Sequence, residues 1–244
     1  MSEKFKYIDI KIDGKVKISP SGFGSFYHNP LAWYKTHISK EKKVDPNENM
    51  VLGTIIHQRL HDYYTTGRID IDSEWDYMEQ YKDLVSINEW KIADDISRIW
   101  SELELWLPTT TKPDSMEQQV VFEIPDSKYF IAGSYDYLRG TTIGDYKTTS
   151  TTPKTIKLSH KIQLYLYAIA LRLNKIPINE IEVVYIVKLK GKPKVVVLNE
   201  PIDETFLLYV KQQVKDLIKR LDLVENNPDL LEIIFFENRD SYIH

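Results

Sequence analysis

The sequence predicts an α/β sandwich in which a central mixed sheet is flanked by helices. Three observations point there. Short runs of strand character cluster between residues 117 and 148, apolar stripes of helical period lie on both sides of them, and the order reads helix, three strands, helix, strands, helix. At 244 residues the chain is long enough for one well-buried domain, read as residues 1–244 with an acidic helical insertion over about 68–115. Its 42% hydrophobic and 28% charged residues are ordinary for a globular protein.

Taken in chain order, Ser19-Pro20-Ser21 opens a segment that ends at Asn29-Pro30, with Phe23, Phe26, Leu31, Trp33 and Tyr34 as packing residues. Asn47 or Asn49 caps a helix running to about Thr65, with a buried stripe of Leu52, Ile55, Ile56, Leu60 and Tyr63, and Gly67 ends it. Residues from about 73 to 107 read as one or two acidic helices anchored by Trp75, Trp90, Trp100 and Trp106, and Pro108 stops them. The period then changes. Strands are expected at 117–124, 129–138 and 141–148, parted by Pro125-Asp126-Ser127 and by Arg139-Gly140. A Thr/Ser-rich loop leads to a helix ending near Asn174, its core side formed by Ile162, Leu166, Ile169 and Leu173. Residues 182–189 and 194–198 form a further hairpin around Gly191-Lys192-Pro193. A last helix from about Asp203 to Val224 buries Leu207, Val210, Val214, Leu217 and Leu221.

Several function classes are excluded. The absence of cysteine removes disulfides, cysteine-bound zinc, an iron–sulfur cluster and a thiol nucleophile. No apolar run is long enough to span a bilayer, so no membrane partner is expected, and Met-Ser-Glu-Lys-Phe-Lys carries no signal-peptide core. The expected location is therefore intracellular: the cytoplasm, or the host cytoplasm for a viral protein. The net charge of −4 is segregated, with ten basic against two acidic residues from Lys147 to Lys194 and eleven acidic against three basic from Asp70 to Glu104. Such a pattern supplies either a positive face for a phosphate backbone or a set of solvated helix faces.

The densest chemistry is Gly133-Ser-Tyr-Asp136 followed nine residues later by Asp145-Tyr-Lys147. Side chains two apart on a strand point the same way, so Asp145 and Lys147 share a face, and a tight hairpin sets Asp136 beside Asp145. Paired carboxylates suit a hard cation such as Mg²⁺, and a neighbouring lysine can offset charge growing on a phosphorane. Asp-x-Lys alone is a weak signal, more often met in an ordinary polar hairpin. The helix after Lys147 adds Gln163 and Tyr167, one turn apart on one face, and Gly53-Thr-Ile-Ile-His57 sets a histidine on the first long helix.

In that order, Gly-x-x-x-His, Gly-x-x-Asp, Asp-x-Lys and Gln-x-x-x-Tyr resemble the PD-(D/E)XK nuclease superfamily, in its RecB-like and phage exonuclease branch, over about residues 18 to 170. The CRISPR adaptation nucleases are related, but several relatives carry an iron–sulfur cysteine where this chain has Asn29, so no cluster is expected. The resemblance implies that His57, Asp136, Asp145 and the carbonyl of Tyr146 bind Mg²⁺ or Mn²⁺, and that Asp136, Asp145 and Lys147 are catalytic. It also implies that Gln163 and Tyr167 position the DNA strand, and that the active centre lies where two strands diverge. Lys154, Lys157 and Lys161, between the metal site and Gln163, are expected to contact DNA.

His57-Gln-Arg-Leu-His61 nearly spells a zinc-peptidase helix, but Gln58 stands where the general-base glutamate belongs. His61 is assigned a supporting or capping place, and Glu117 and Glu123 are weaker candidates for an extra acidic group. The function expected is a metal-dependent DNA nuclease, an exonuclease rather than an endonuclease, in recombination, repair or phage DNA processing. The alternative is a non-catalytic DNA-binding or assembly subunit that keeps the fold. A homo-oligomer or a recombination partner protein stays open.

Overall fold

The computed structural model describes residues 10–41, 47–67 and 88–236. It contains a six-stranded mixed sheet: β1 (Val16–Ile18), β2 (Ser115–Glu123), β3 (Tyr129–Arg139), β4 (Thr142–Thr149), β5 (Glu180–Val187) and β6 (Lys194–Pro201). The helices are α1 (Pro20–Phe26), α2 (Pro30–Trp33), α3 (Glu48–Thr66), α4 (Glu89–Trp106), α5 (Leu158–Leu173), α6 (Glu204–Asn226) and α7 (Leu231–Ile234). β1 was not expected from the sequence. Three residues are too few to show a period, and their strand character comes from parallel pairing of Val16–Ile18 with Tyr129–Ile131.

The sheet is covered on both faces, and alternation along β5 shows how. Ile181, Val183, Tyr185 and Val187 pack with α1, α5 and α6, whereas Val184 and Ile186 pack with α3 and α4. Local sequence explains the boundaries. Ser19 and Asn29 accept hydrogen bonds from the Gly22 and Ala32 amides and so cap α1 and α2, each followed by proline at the first helical position. Asn47 caps α3, and Gly67 closes it with φ of 70°. Asp203 caps α6.

Several packing expectations need correction. On α3 the buried tyrosine is Tyr64, with Tyr63 only half-buried, because the buried face turns by one residue towards α4 and Leu107. Trp100 is buried and Trp106 half-buried, but Trp90 is 82% exposed and anchors nothing. Trp75 lies outside the described residues. Leu173 is 63% exposed at the end of α5, while every residue from Ile162 to Leu171 is buried. That helix is a central spine enclosed on all sides rather than a one-sided amphipathic helix. α4, within the stretch expected as an insertion, contributes Ile92, Ile96, Ile99, Trp100 and Leu103 to the second core.

One strand pairing matters most for function. β2 follows one edge of β3 from Phe130 to Leu138, so β1 and β4 must share the other edge. β1 takes Tyr129–Ile131 and β4 takes only Tyr137–Arg139, and among the described residues no strand pairs with the edge between. β4 instead turns to β5, with which it pairs along its whole length from Thr142 to Thr149. The hairpin is closed at the Tyr137–Gly144 pair and forks beyond it. A Cβ on Gly144 would collide with the Tyr137 ring, so glycine is what lets that ring lie across the closed end. The Tyr137 hydroxyl donates to the buried Glu182 carboxylate at 2.5 Å, and Arg139 also binds that carboxylate.

Candidate active site

Asp136 on β3 and Asp145 on β4 are the first residues past the closed Tyr137–Gly144 pair, and Lys147 stands two residues farther along β4. Where the ladder stops, the Tyr146 amide donates to Oδ2 of Asp136 at 2.6 Å, so a side chain takes the place of a strand carbonyl. From the face covered by α3, His57 bonds the Tyr146 carbonyl through Nε2 at 2.8 Å. A carbonyl can only accept, so Nε2 carries a proton and the other ring nitrogen faces the site. That Nδ1 lies 3.5 Å from Oδ2 of Asp136 and 3.9 Å from Oε1 of Glu117. From the opposite face, α5 brings Gln163 and Tyr167. Together with Asp136, Asp145 and Lys147 they line one open cleft of about 950 Å³.

Gly133 explains itself in this setting. A Cβ there would come within about 3 Å of both Pro20 and the Tyr167 hydroxyl, so the small residue allows the close approach of α1 and α5 to β3. Gly53 is different: a Cβ would make ordinary contact with Thr148, and no steric demand for glycine exists there.

Lys147 and Asp145 share one face, as their spacing requires. Nζ donates to Oδ1 of Asp145 at 2.8 Å and lies 2.7 Å from Oδ2. Gln163 also donates to Oδ1, at 3.1 Å. Among the described residues Oδ2 is buried yet accepts no hydrogen bond in good geometry. Burial pushes the carboxyls of both Asp136 and Asp145 above the usual carboxylate range, against the pull of nearby His57 and Lys147. Burial works against the charge of His57, but Asp136 and Glu117 outweigh it and hold its pKa up at about 9. Burial likewise disfavours the Lys147 ammonium, and attraction to Asp145 and Asp136 overcomes it, so Lys147 is a cation at neutral pH.

These residues fit a divalent cation. Ligand atoms of His57, Glu117 and Asp136 all lie within 4.8 Å of one another, and the unsatisfied Oδ2 of Asp145 belongs to the same cleft. The carbonyl of Tyr146, the further ligand that the resemblance implies, accepts a hydrogen bond from His57 and keeps a second lone pair. Of the two extra acidic candidates, Glu117 is the one that stands with His57 and Asp136. Its φ of 50° is a left-handed conformation rare for a non-glycine residue, and the β2–β3 ladder is interrupted at Glu117, opposite Asp136. Nothing in the residue string signals that conformation. Glu123, the other acidic candidate, is exposed and pairs with Lys15. His61 lines the cleft with Nδ1 3.6 Å from Asp62.

Half of the ten basic side chains from Lys147 to Lys194 are paired with acidic partners, Lys147 with Asp145 among them. Lys188 binds Asp95 and Lys192 binds Glu102, both on α4, and Arg172 binds Glu204. Lys161 binds Glu200 at 2.5 Å and lies over the Phe206 ring. None of Lys154, Lys157 and Lys161 lines the cleft, but Lys154 and Lys157 are exposed and form no ion pair among the described residues.

The sequence matches the family model for the PD-(D/E)XK nuclease superfamily over residues 17–229. No curated protein compared with it matches. Among solved structures, 21 chains match. SSO0001 is 15% identical, with 86% of this chain and 79% of that chain covered at a TM-score of 0.40. LHK-Exo in complex with dAMP is 13% identical, with 90% and 92% covered at a TM-score of 0.43. No helix among the described residues is long and apolar enough to cross a membrane.

Proposed function

Since the chain belongs to the PD-(D/E)XK nuclease superfamily, we propose that it is a divalent-metal-dependent deoxyribonuclease that hydrolyses phosphodiester bonds in DNA. The observation that carries this reading is the forked hairpin, which holds Asp136 and Asp145 apart at one cleft with His57, Glu117 and Lys147 around them. Asp136, Glu117 and Nδ1 of His57 would hold the ion, Mg²⁺ or Mn²⁺, and Asp145 is available as a further ligand. When bound there, such an ion supplies Lewis acidity to a phosphate oxygen and lowers the pKa of a water.

The chain's own residues do the rest. Lys147 is protonated, so it acts as a fixed positive charge that stabilises the negative charge growing on the phosphorane rather than as a base. Gln163 holds the Asp145 carboxylate in place through Oδ1. Tyr167 and the exposed Lys154 and Lys157 face the DNA strand. Contacts of this kind are to backbone, so cleavage is not sequence-specific. The enzyme works as one domain, RecB-like, as an exonuclease in recombination, repair or phage DNA processing, and that choice rests on the motif resemblance.

Incubation of end-labelled linear and closed circular DNA with Mg²⁺ or Mn²⁺ tests the reading. Degradation of the linear form alone supports an exonuclease, and cutting of the circle supports an endonuclease. Binding without cleavage in either ion would support the alternative of a non-catalytic DNA-binding subunit.

A further inference from the structure

His160 stands three residues before Gln163 and seven before Tyr167, so all three project from one side of α5. Its Nδ1 lies 3.0 Å from the hydroxyl of Tyr185. That hydroxyl is fully buried and already accepts a hydrogen bond from the Lys157 amide at 3.1 Å. Its own proton needs an acceptor, and the available one is Nδ1 of His160. The ring is thereby fixed as the tautomer that carries its proton on Nε2, and among the described residues that N–H has no partner.

The location of this pair adds to the argument. Tyr185 is the β5 residue in register with Lys147 on β4. The histidine is therefore supported on the strand next to the cation of the site, on the helix whose next turn holds Gln163. His160 is half-buried, with the exposed Lys157 at the start of the same helix. Burial and the nearby Lys147 ammonium keep it neutral, with a pKa down at about 4. A neutral donor can sit beside Lys147 without repelling it, which a charged one could not.

We propose that His160, oriented by Tyr185, donates its Nε2–H to a phosphate oxygen of the bound DNA strand, at a phosphate next to the one facing Lys147. This rests on the nuclease reading of the cleft that begins one turn along at Gln163, which His160 adjoins and does not itself line. His160 is a strand-binding residue and Tyr185 a positioning residue that acts through it.

The test compares wild type with His160→Gln, His160→Phe and Tyr185→Phe. Kd for a short DNA duplex is measured in Ca²⁺, and KM and kcat in Mg²⁺. His160→Phe should raise Kd and KM about tenfold and leave kcat within a few fold, the size expected for one hydrogen bond to a charged group. His160→Gln, whose amide nitrogen can reach the Nε2 position, should restore most of that loss. Tyr185→Phe should fall between them, and a long-range ¹H–¹⁵N spectrum of His160 should then show mixed tautomers where wild type shows one. Unchanged Kd and KM in His160→Phe, or a glutamine variant no better than phenylalanine, overturns the inference while the nuclease reading stands. A wild-type protein that neither binds nor cleaves DNA overturns both.

Discussion

Nε2 of His57 donates to the backbone carbonyl of Tyr146 at 2.8 Å across 89 residues of chain, and this bond decides which ring nitrogen is offered to the site. With Nε2 held, Nδ1 points at Asp136 and Glu117 and in the metal-free protein carries the proton that its raised pKa implies.

An entering cation must therefore displace that proton. Binding of Mn²⁺ at pH 7 should release about one proton, seen as a buffer-dependent binding enthalpy, and affinity should rise with pH up to about 9. His57→Ala should abolish the release and weaken Mn²⁺ binding more than DNA binding. Identical enthalpies in buffers of different ionisation heat would refute the assignment.

Stability should follow the same groups. The folded pKa of His57, about 9, lies above its ordinary value of 6.5. Its contribution is fully present below pH 6.5 and lost as pH rises through 9. The raised carboxyls of Asp136 and Asp145 act in the same direction, favouring the fold when protonated and opposing it once ionised. In a chelator, the melting temperature should fall between pH 6.5 and 9, and saturating Mn²⁺ should flatten that fall. A flat profile in the chelator would contradict the ion-pair geometry.

Asp136→Ala, Asp145→Ala and Lys147→Ala should each reduce cleavage to below about 1% of wild type, the scale of losing one preorganised charge at a reaction centre. Circular dichroism should show all three folded. Turnover near wild type in any of them would move the site elsewhere.

Glu117 gives the sharpest separation of stability from activity. Glycine tolerates a φ of 50°, so Glu117→Gly should leave stability unchanged or raise it by about 1 kcal/mol, while removing a carboxylate from the cation site. Thermal melts and cleavage assays on the same preparation check both halves. A destabilised but active variant would show that Glu117 is a structural residue.

The DNA path should depend on Lys154 and Lys157 and not on Lys161. In Ca²⁺, each of the first two changed to alanine should lower the salt slope of DNA affinity by about one unit. Lys161→Ala should leave it unaltered, because that ammonium is bound to Glu200. Equal effects from all three would mean that the Glu200 pair opens when DNA binds.

Much of the fold and the acid pair was readable because turn residues part the strands β2 to β4, because helix α6 carries a one-sided apolar stripe and a capping Asp203, and because two positions along a strand must share a face. What escaped depends on tertiary partners. β1 exists through its pairing with β3, and the exposure of Trp90 and Leu173 depends on where α4 and α5 end against their neighbours. The basic stretch left open a positive face or solvated helix faces, and charge counts alone could not show that α4 sets Asp95 and Glu102 against Lys188 and Lys192. Glu117 was legible only as one of two acidic candidates, because its place beside Asp136 depends on a backbone angle.

On the proposed reading, the fork in the sheet would make ion selectivity a mechanical property. β3 and β4 are two arms of a pair of tongs, pivoting where the Tyr137 ring lies across Gly144 and where Gly140 turns the chain with φ of 57°. The backbone positions of Asp136 and Asp145 follow from that closed end, and the Tyr146 amide, Lys147 and Gln163 then hold their carboxylates. Mg²⁺ demands oxygen distances of about 2.0–2.1 Å, whereas Ca²⁺ accepts about 2.3–2.6 Å in looser arrangements. Gly144→Ala, which drives the Tyr137 ring out of the pivot, would splay the tips and trade the smaller ion for a larger one without altering a single ligand.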